Sequence, residues 1–101
     1  MKEINESDIT GPLNGIYVFV VNDCRVCRDY LRELERRKLD TDNWNLFDCD
    51  KNLAYSMNNL HLEDMPMTRF YLAGKVIWER AGILYDTQLM DLFKATDGYE
   101  F

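Results

Sequence analysis

No stretch of this 101-residue chain approaches the roughly 20 apolar residues that a membrane-spanning helix needs. The longest apolar run, Ile16-Tyr17-Val18-Phe19-Val20-Val21, is the size of one strand, so no membrane partner is expected. The N-terminus, Met1 to Asp8, lacks the basic start and apolar middle of a secretory signal, which argues for a cytoplasmic location. Basic residues are scarce: 12 Lys and Arg stand against 18 Asp and Glu, a net charge of −6. Affinity for phosphate backbones comes from basic side chains, so nucleic acid is not an expected partner. Cysteines number three, an odd count that does not read as a disulfide framework and leaves redox or metal chemistry. Histidine is limited to His61, read as a surface or helix-end residue and left outside the site. No repeat, low-complexity segment or linker divides the chain, so residues 1–101 read as one domain. Its length suffices to bury a core without staples, and a monomer is expected.

What is present alternates between strand-like and helix-like patterns. Residues 16–22 form an almost unbroken β-branched and aromatic run, which suits a strand buried on both faces of a sheet. From Cys27, apolar residues fall at Tyr30, Leu31, Leu34 and Leu39, with Arg28, Asp29, Arg32, Glu33, Arg36 and Arg37 opposite them, the pattern of a helix with one buried face. Asn45 to Asp50 reads as a second strand, followed by a short helix from Asn52 to about Leu60. Thr68–Leu72 and Val76–Arg80 bracket Ala73-Gly74-Lys75 as a β-hairpin. The segment Tyr85 to Lys94 sets Leu89, Leu92 and Phe93 on one helical face, with Asp86 as its N-cap. A weak strand is expected at Lys2 to Ile4. The order predicts an α/β fold, a central mixed sheet of four to five strands with helices on both faces.

Within that plan Cys24-Arg25-Val26-Cys27 lies where a strand gives way to a helix. Two cysteines three residues apart suit reversible thiol–disulfide chemistry. The unpaired N–H groups and dipole of a helix N-terminus favour a thiolate, the reactive form of sulfur, at Cys24. Cys27, one turn inward, is expected to be less exposed and to have the higher pKa. A zinc site of Cys24, Cys27, Cys49 and His61 has ligands of acceptable type but poor spacing, because the last two do not form a second close pair. Redox chemistry is therefore favoured, with no cofactor, and Cys49 is read as a small buried residue.

The arrangement resembles the thioredoxin family over nearly everything from Ile16 to the final helix. Cys24 and Cys27 match its Cys-X-X-Cys, and Met65-Pro66 matches the residue and cis-proline that face the cysteines. Gly74 matches the hairpin glycine and Gly82 the glycine after the last strand. The resemblance implies a thioredoxin-like fold and a thiol–disulfide oxidoreductase acting on protein disulfides, expected to be a reductant. Cys24 would attack and Cys27 would resolve the mixed disulfide. It implies recycling by a thioredoxin-reductase-like or a glutaredoxin/glutathione system. A cis bond before Pro66 would free the backbone of Met65 to pair with an extended substrate; Asp23, Arg25, Met65 and Met67 would form the contact surface, with Val26 and Pro66 also among the substrate-binding residues.

Departures from the family fall on residues that tune the chemistry. Asp23 stands where thioredoxins carry Trp, and Arg25-Val26 replaces Gly-Pro. The family's buried aspartate and its opposing lysine correspond to Val18 and Leu46, so both charges are gone together, and the usual proton relay for the second cysteine goes with them. Glutaredoxins would show Cys-Pro-Tyr-Cys and paired glycines, whereas Gly82 is followed by Ile83-Leu84-Tyr85. A competing reading is therefore a thioredoxin-fold binding module that acts by docking to a larger protein.

Overall fold

The computed structural model describes residues 1–99. Five strands form one sheet in the order β1-β3-β2-β4-β5: β1 Lys2–Ile4, β2 Gly15–Val20, β3 Asn45–Asp48, β4 Met67–Leu72 and β5 Lys75–Ala81. β2 pairs parallel with β3 and antiparallel with β4. Its six residues are all buried, because strand side chains alternate and both faces are covered. Val18 and Val20 face one core with Cys27, Tyr30, Leu34, Leu89 and Leu92, and Tyr17 and Phe19 face the other with Phe47, Leu60 and Tyr71. Burying each such side chain contributes about 1.5–3 kcal/mol.

The first core lies beneath α1 (Arg25–Arg36) and α3 (Asp86–Thr96). The second is covered by α2 (Leu53–Tyr55) and the π-helical turn Ser56–Leu60 that continues it. Helices therefore lie on both faces. Among the described residues no helix is long and apolar enough to cross a membrane.

Four of the departures from the expected element boundaries have a local reason. β2 stops at Val20, because the next residues turn towards the helix and the Asn22 amide bonds to Asp50 Oδ2 at 2.6 Å. β3 stops at Asp48, whose carboxylate accepts the Asp50 and Lys51 amides and so bends the chain out of the sheet. The helix expected over residues 52–60 is only partly α-helical. Asn59 Nδ2 donates to the Tyr55 carbonyl at 3.2 Å, the acceptor that the Asn59 amide would use in a regular helix, whereas the Asn52 carbonyl keeps its bond to the Ser56 amide and accepts Ser56 Oγ as well. The last helix is capped at Tyr85 rather than Asp86, and the Tyr85 amide bonds to Gln88 Oε1. Phe93, expected on the buried face of that helix, is 38 % exposed.

Candidate active site

The C-terminal end of β2 and the N-terminal end of β4 meet at one end of the sheet, where Phe19 pairs with Met67. The chain leaving β2 runs through Asp23 into α1, and the chain entering β4 comes from Met65 and Pro66. Asp23 has a φ of 53°, in the left-handed region, which aspartate tolerates better than most residues. That backbone turn suits an aspartate at this position.

Cys24 is the N-cap of α1, and its Sγ accepts the Cys27 amide at 3.1 Å. The two cysteines are joined as a disulfide, with Cα atoms 5.2 Å apart. Cys24 is partly buried, and Cys27 is 3 % exposed. The more accessible residue is thus the one at the helix N-terminus. Arg25 and Val26 are exposed on the first turn, and Arg25 sits 3.8 Å from Asp29 in a solvated i,i+4 pair worth little energetically.

The Met65–Pro66 peptide bond is cis. Met65 and Cys24 both pack as partly buried residues against the core beneath α1, which brings the two segments to one site. The Gly82 amide donates to the Pro66 carbonyl at 2.8 Å, tying the loop after β5 to the same end of the sheet. Gly82 has a φ of 80°, a conformation that favours glycine. The residues singled out from the sequence (Asp23, Cys24, Arg25, Val26, Cys27, Met65, Pro66 and Met67) therefore lie on the two segments that converge there.

Sequence reasoning passed over two features. Ser56, Met57, Leu62 and His61 line a cavity of about 270 Å³ with Cys49 and Met65, so His61 lies beside the segment leading to Pro66 and not apart from it. Its position follows from a left-handed φ of 50° after the π-helical turn, which no periodicity in the sequence signals. Cys49 is 4 % exposed, and burial pushes its thiol pKa up, with Asp48 and Asp50 adding to the shift. Among the described residues no three His, Cys, Asp or Glu side chains gather into a metal-holding group.

The second missed feature lies under the cysteines. Val18 pairs in register with Leu46 on one side and Thr68 on the other, so the three central positions of that rung carry no ionisable side chain, and the charged residues in line with them, Glu3 and Arg80, lie exposed on the outer strands. Tyr30 Oη and Thr68 Oγ1 bond instead, 2.8 Å apart, at residues 1 % and 0 % exposed. Burial raises the Tyr30 pKa to about 12, a shift that its bond to Thr68 only partly offsets.

This is the thioredoxin fold, with a cysteine pair and a cis-proline at one end of its sheet. Three solved structures show the likeness. Thioredoxin f2 of Chlamydomonas reinhardtii superposes with a TM-score of 0.74 at 14 % identity, covering 99 % of both chains. The short form of thioredoxin f from spinach chloroplast gives 0.73 at 17 % identity, over 95 % of this chain and 93 % of that one. Fasciola hepatica thioredoxin gives 0.69 at 19 % identity, over 93 % and 97 %. No family model matches the sequence, and no curated protein matches it. The likeness is thus one of fold, at 14–19 % identity.

Proposed function

We propose that this chain is a thiol–disulfide oxidoreductase that reduces protein disulfides with the Cys24-Cys27 dithiol. The observation that carries this reading is the cysteine pair itself, joined across the first turn of α1 with the partly exposed member at the N-cap and the buried member behind it. In the reducing direction the Cys24 thiolate attacks a substrate disulfide, forms a mixed disulfide and expels one substrate thiolate. Cys27 then loses its proton and attacks the Cys24 sulfur, closing the disulfide and expelling the second substrate thiolate. Two electrons pass to the substrate, and the proton leaves with its thiol. The Met65 backbone, immediately before β4, would hold an extended substrate segment beside Cys24, with Asp23, Arg25 and Val26 at its rim. A thioredoxin-reductase-like enzyme, or a glutaredoxin and glutathione system, would return the disulfide to the dithiol. Such a cycle fits a reducing compartment of cytoplasmic type.

The test is catalysis of insulin reduction by dithiothreitol, together with the pH dependence of Cys24 alkylation. Acceleration that disappears in Cys24→Ser, with a Cys24 pKa well below the ordinary value of about 8.5, supports the reading. No acceleration and an ordinary thiol pKa overturn it. Should Cys24→Ser/Cys27→Ser retain full biological activity, the chain acts by docking and not by redox exchange.

A further inference from the structure

For a dithiol to act on a disulfide held by another backbone, the sulfur and the holding segment must keep a fixed separation. Here the sulfurs sit at the N-cap and first turn of α1, and the holding segment is the pair of residues that leads into β4. We propose that the Tyr30–Thr68 hydrogen bond is the device that sets the cysteine pair against the Met65-Pro66 segment, making Tyr30 and Thr68 positioning residues for the redox reaction. This inference rests on the function proposed above.

Placement supports it from both sides. Tyr30 comes three residues after Cys27 on the same buried face, and helical side chains lean towards the N-terminus, so Tyr30 extends back over the turn that holds Cys27. Thr68 comes two residues after Pro66, and Val18 faces it across the strand pair. Among the described residues the 2.8 Å contact between them is the one hydrogen bond from a side chain of α1 to the sheet. Among the described residues, Cys27 and Leu34 of the helix and Val18 and Leu46 of the rung belong to or pack against one apolar cluster. Apolar contact is non-directional and tolerates sliding. A buried hydroxyl pair does not, because separating the partners leaves two polar groups without water or replacement. The pair therefore gives this site a directional constraint without introducing a charge.

The test compares two reactions of Cys24 in Tyr30→Phe/Thr68→Val, which removes both hydroxyls and strands neither. Alkylation by iodoacetamide needs no holding segment, whereas reduction of a peptide disulfide does. Expected are alkylation within about twofold of the parent and disulfide reduction slowed about tenfold, since a displacement of about 1 Å can cost a hundredfold. Thr68→Ser, which keeps a hydroxyl, is expected to reduce the peptide at the parent rate. The inference is overturned if the double variant reduces the peptide as fast as the parent. It is equally overturned if Thr68→Ser loses as much as Thr68→Val, which assigns the effect to packing. Should the double variant not fold, the comparison of Thr68→Ser with Thr68→Val decides alone. A parent inactive on the peptide overturns the proposed function and this inference with it; an active parent beside an equally active double variant overturns only the inference.

Discussion

Thr68 and Arg69 are neighbours in β4 and both are buried, yet the alternation of the strand sends them into chemically different cores. On the cysteine side the buried polar demand is met by two neutral hydroxyls, Tyr30 and Thr68. On the opposite side a guanidinium is buried instead. Arg69 Nη1 donates to the Leu60 carbonyl and to Tyr71 Oη at 2.8 and 2.9 Å, and Nε pairs with Glu79 at 2.8 Å. Its carbon lies 5.9 Å from the centre of the Phe19 ring. The molecule thus tolerates a buried charge, but keeps it one residue away from the face that holds the sulfurs. A buried cation or carboxylate on that face would bias the protonation of a nearby thiol, whereas buried hydroxyls fix position and leave charge to exposed residues such as Arg80, in register with Thr68.

Removing the buried charge should have the largest effect. Arg69→Met keeps the apolar stem but leaves the Leu60 carbonyl and the Tyr71 hydroxyl buried without their donor. A loss of about 3 kcal/mol in urea unfolding is expected. Glu79→Gln should cost less than about 1 kcal/mol, because Glu79 is 48 % exposed and water replaces its partner. Equal losses in the two variants would mean that the ion pair, and not the bonds to Leu60 and Tyr71, carries the stability of that face.

The neutral face should respond differently. Tyr30→Phe strands the Thr68 hydroxyl, and Thr68→Val strands that of Tyr30, so each single variant is expected to lose about 1–2 kcal/mol. Removing both hydroxyls restores an apolar match, and the double variant should lie within about 0.5 kcal/mol of the parent. Additive losses, measured by the same unfolding experiment, would show that the pair is not coupled. No such recovery is expected from pairing Arg69→Met with Glu79→Gln, because the Leu60 carbonyl stays unsatisfied.

The elements were legible where hydrophobic pattern alone decides them. The run Ile16 to Val21 announces a doubly buried strand, the spacing of Tyr30 and Leu34 gives the buried face of α1, and the glycine-containing turn at Ala73-Gly74 marks the hairpin. The cysteine pair and Met65-Pro66 were legible because each is local in sequence. Asp48 and Asn59 were not, because whether their side chains continue or interrupt the backbone pattern depends on which carbonyl or amide comes within reach. Least legible was the pairing of Tyr30 with Thr68, since 38 residues separate them and each reads in isolation as an ordinary core or strand residue. The absence of the charges expected near Val18 and Leu46 was visible from sequence; what replaces them was a tertiary fact.

Alkaline pH offers a finer separation of the two faces. Burial raises the pKa of Tyr17, Tyr55 and Tyr71 and of the Cys49 thiol on the Arg69 side, and of Tyr30 on the cysteine side. Each of these groups is neutral when protonated and holds its proton more tightly in the folded chain. As pH rises, the unfolded chain releases protons first, so their stabilisation is complete below the unfolded pKa and is lost as pH climbs towards the folded one. For Tyr30 that window runs from 10.0 to about 12, and its share of the loss at pH 11 is about 1 kcal/mol. Urea midpoints at pH 8 and pH 11 should therefore fall less in Tyr30→Phe/Thr68→Val than in the parent, but should still fall, because the tyrosines and thiol of the other face remain. If the double variant loses as much stability as the parent across that interval, Tyr30 does not titrate as a group held by its burial, and the contrast between a neutral face and a charged one reduces to Arg69 alone.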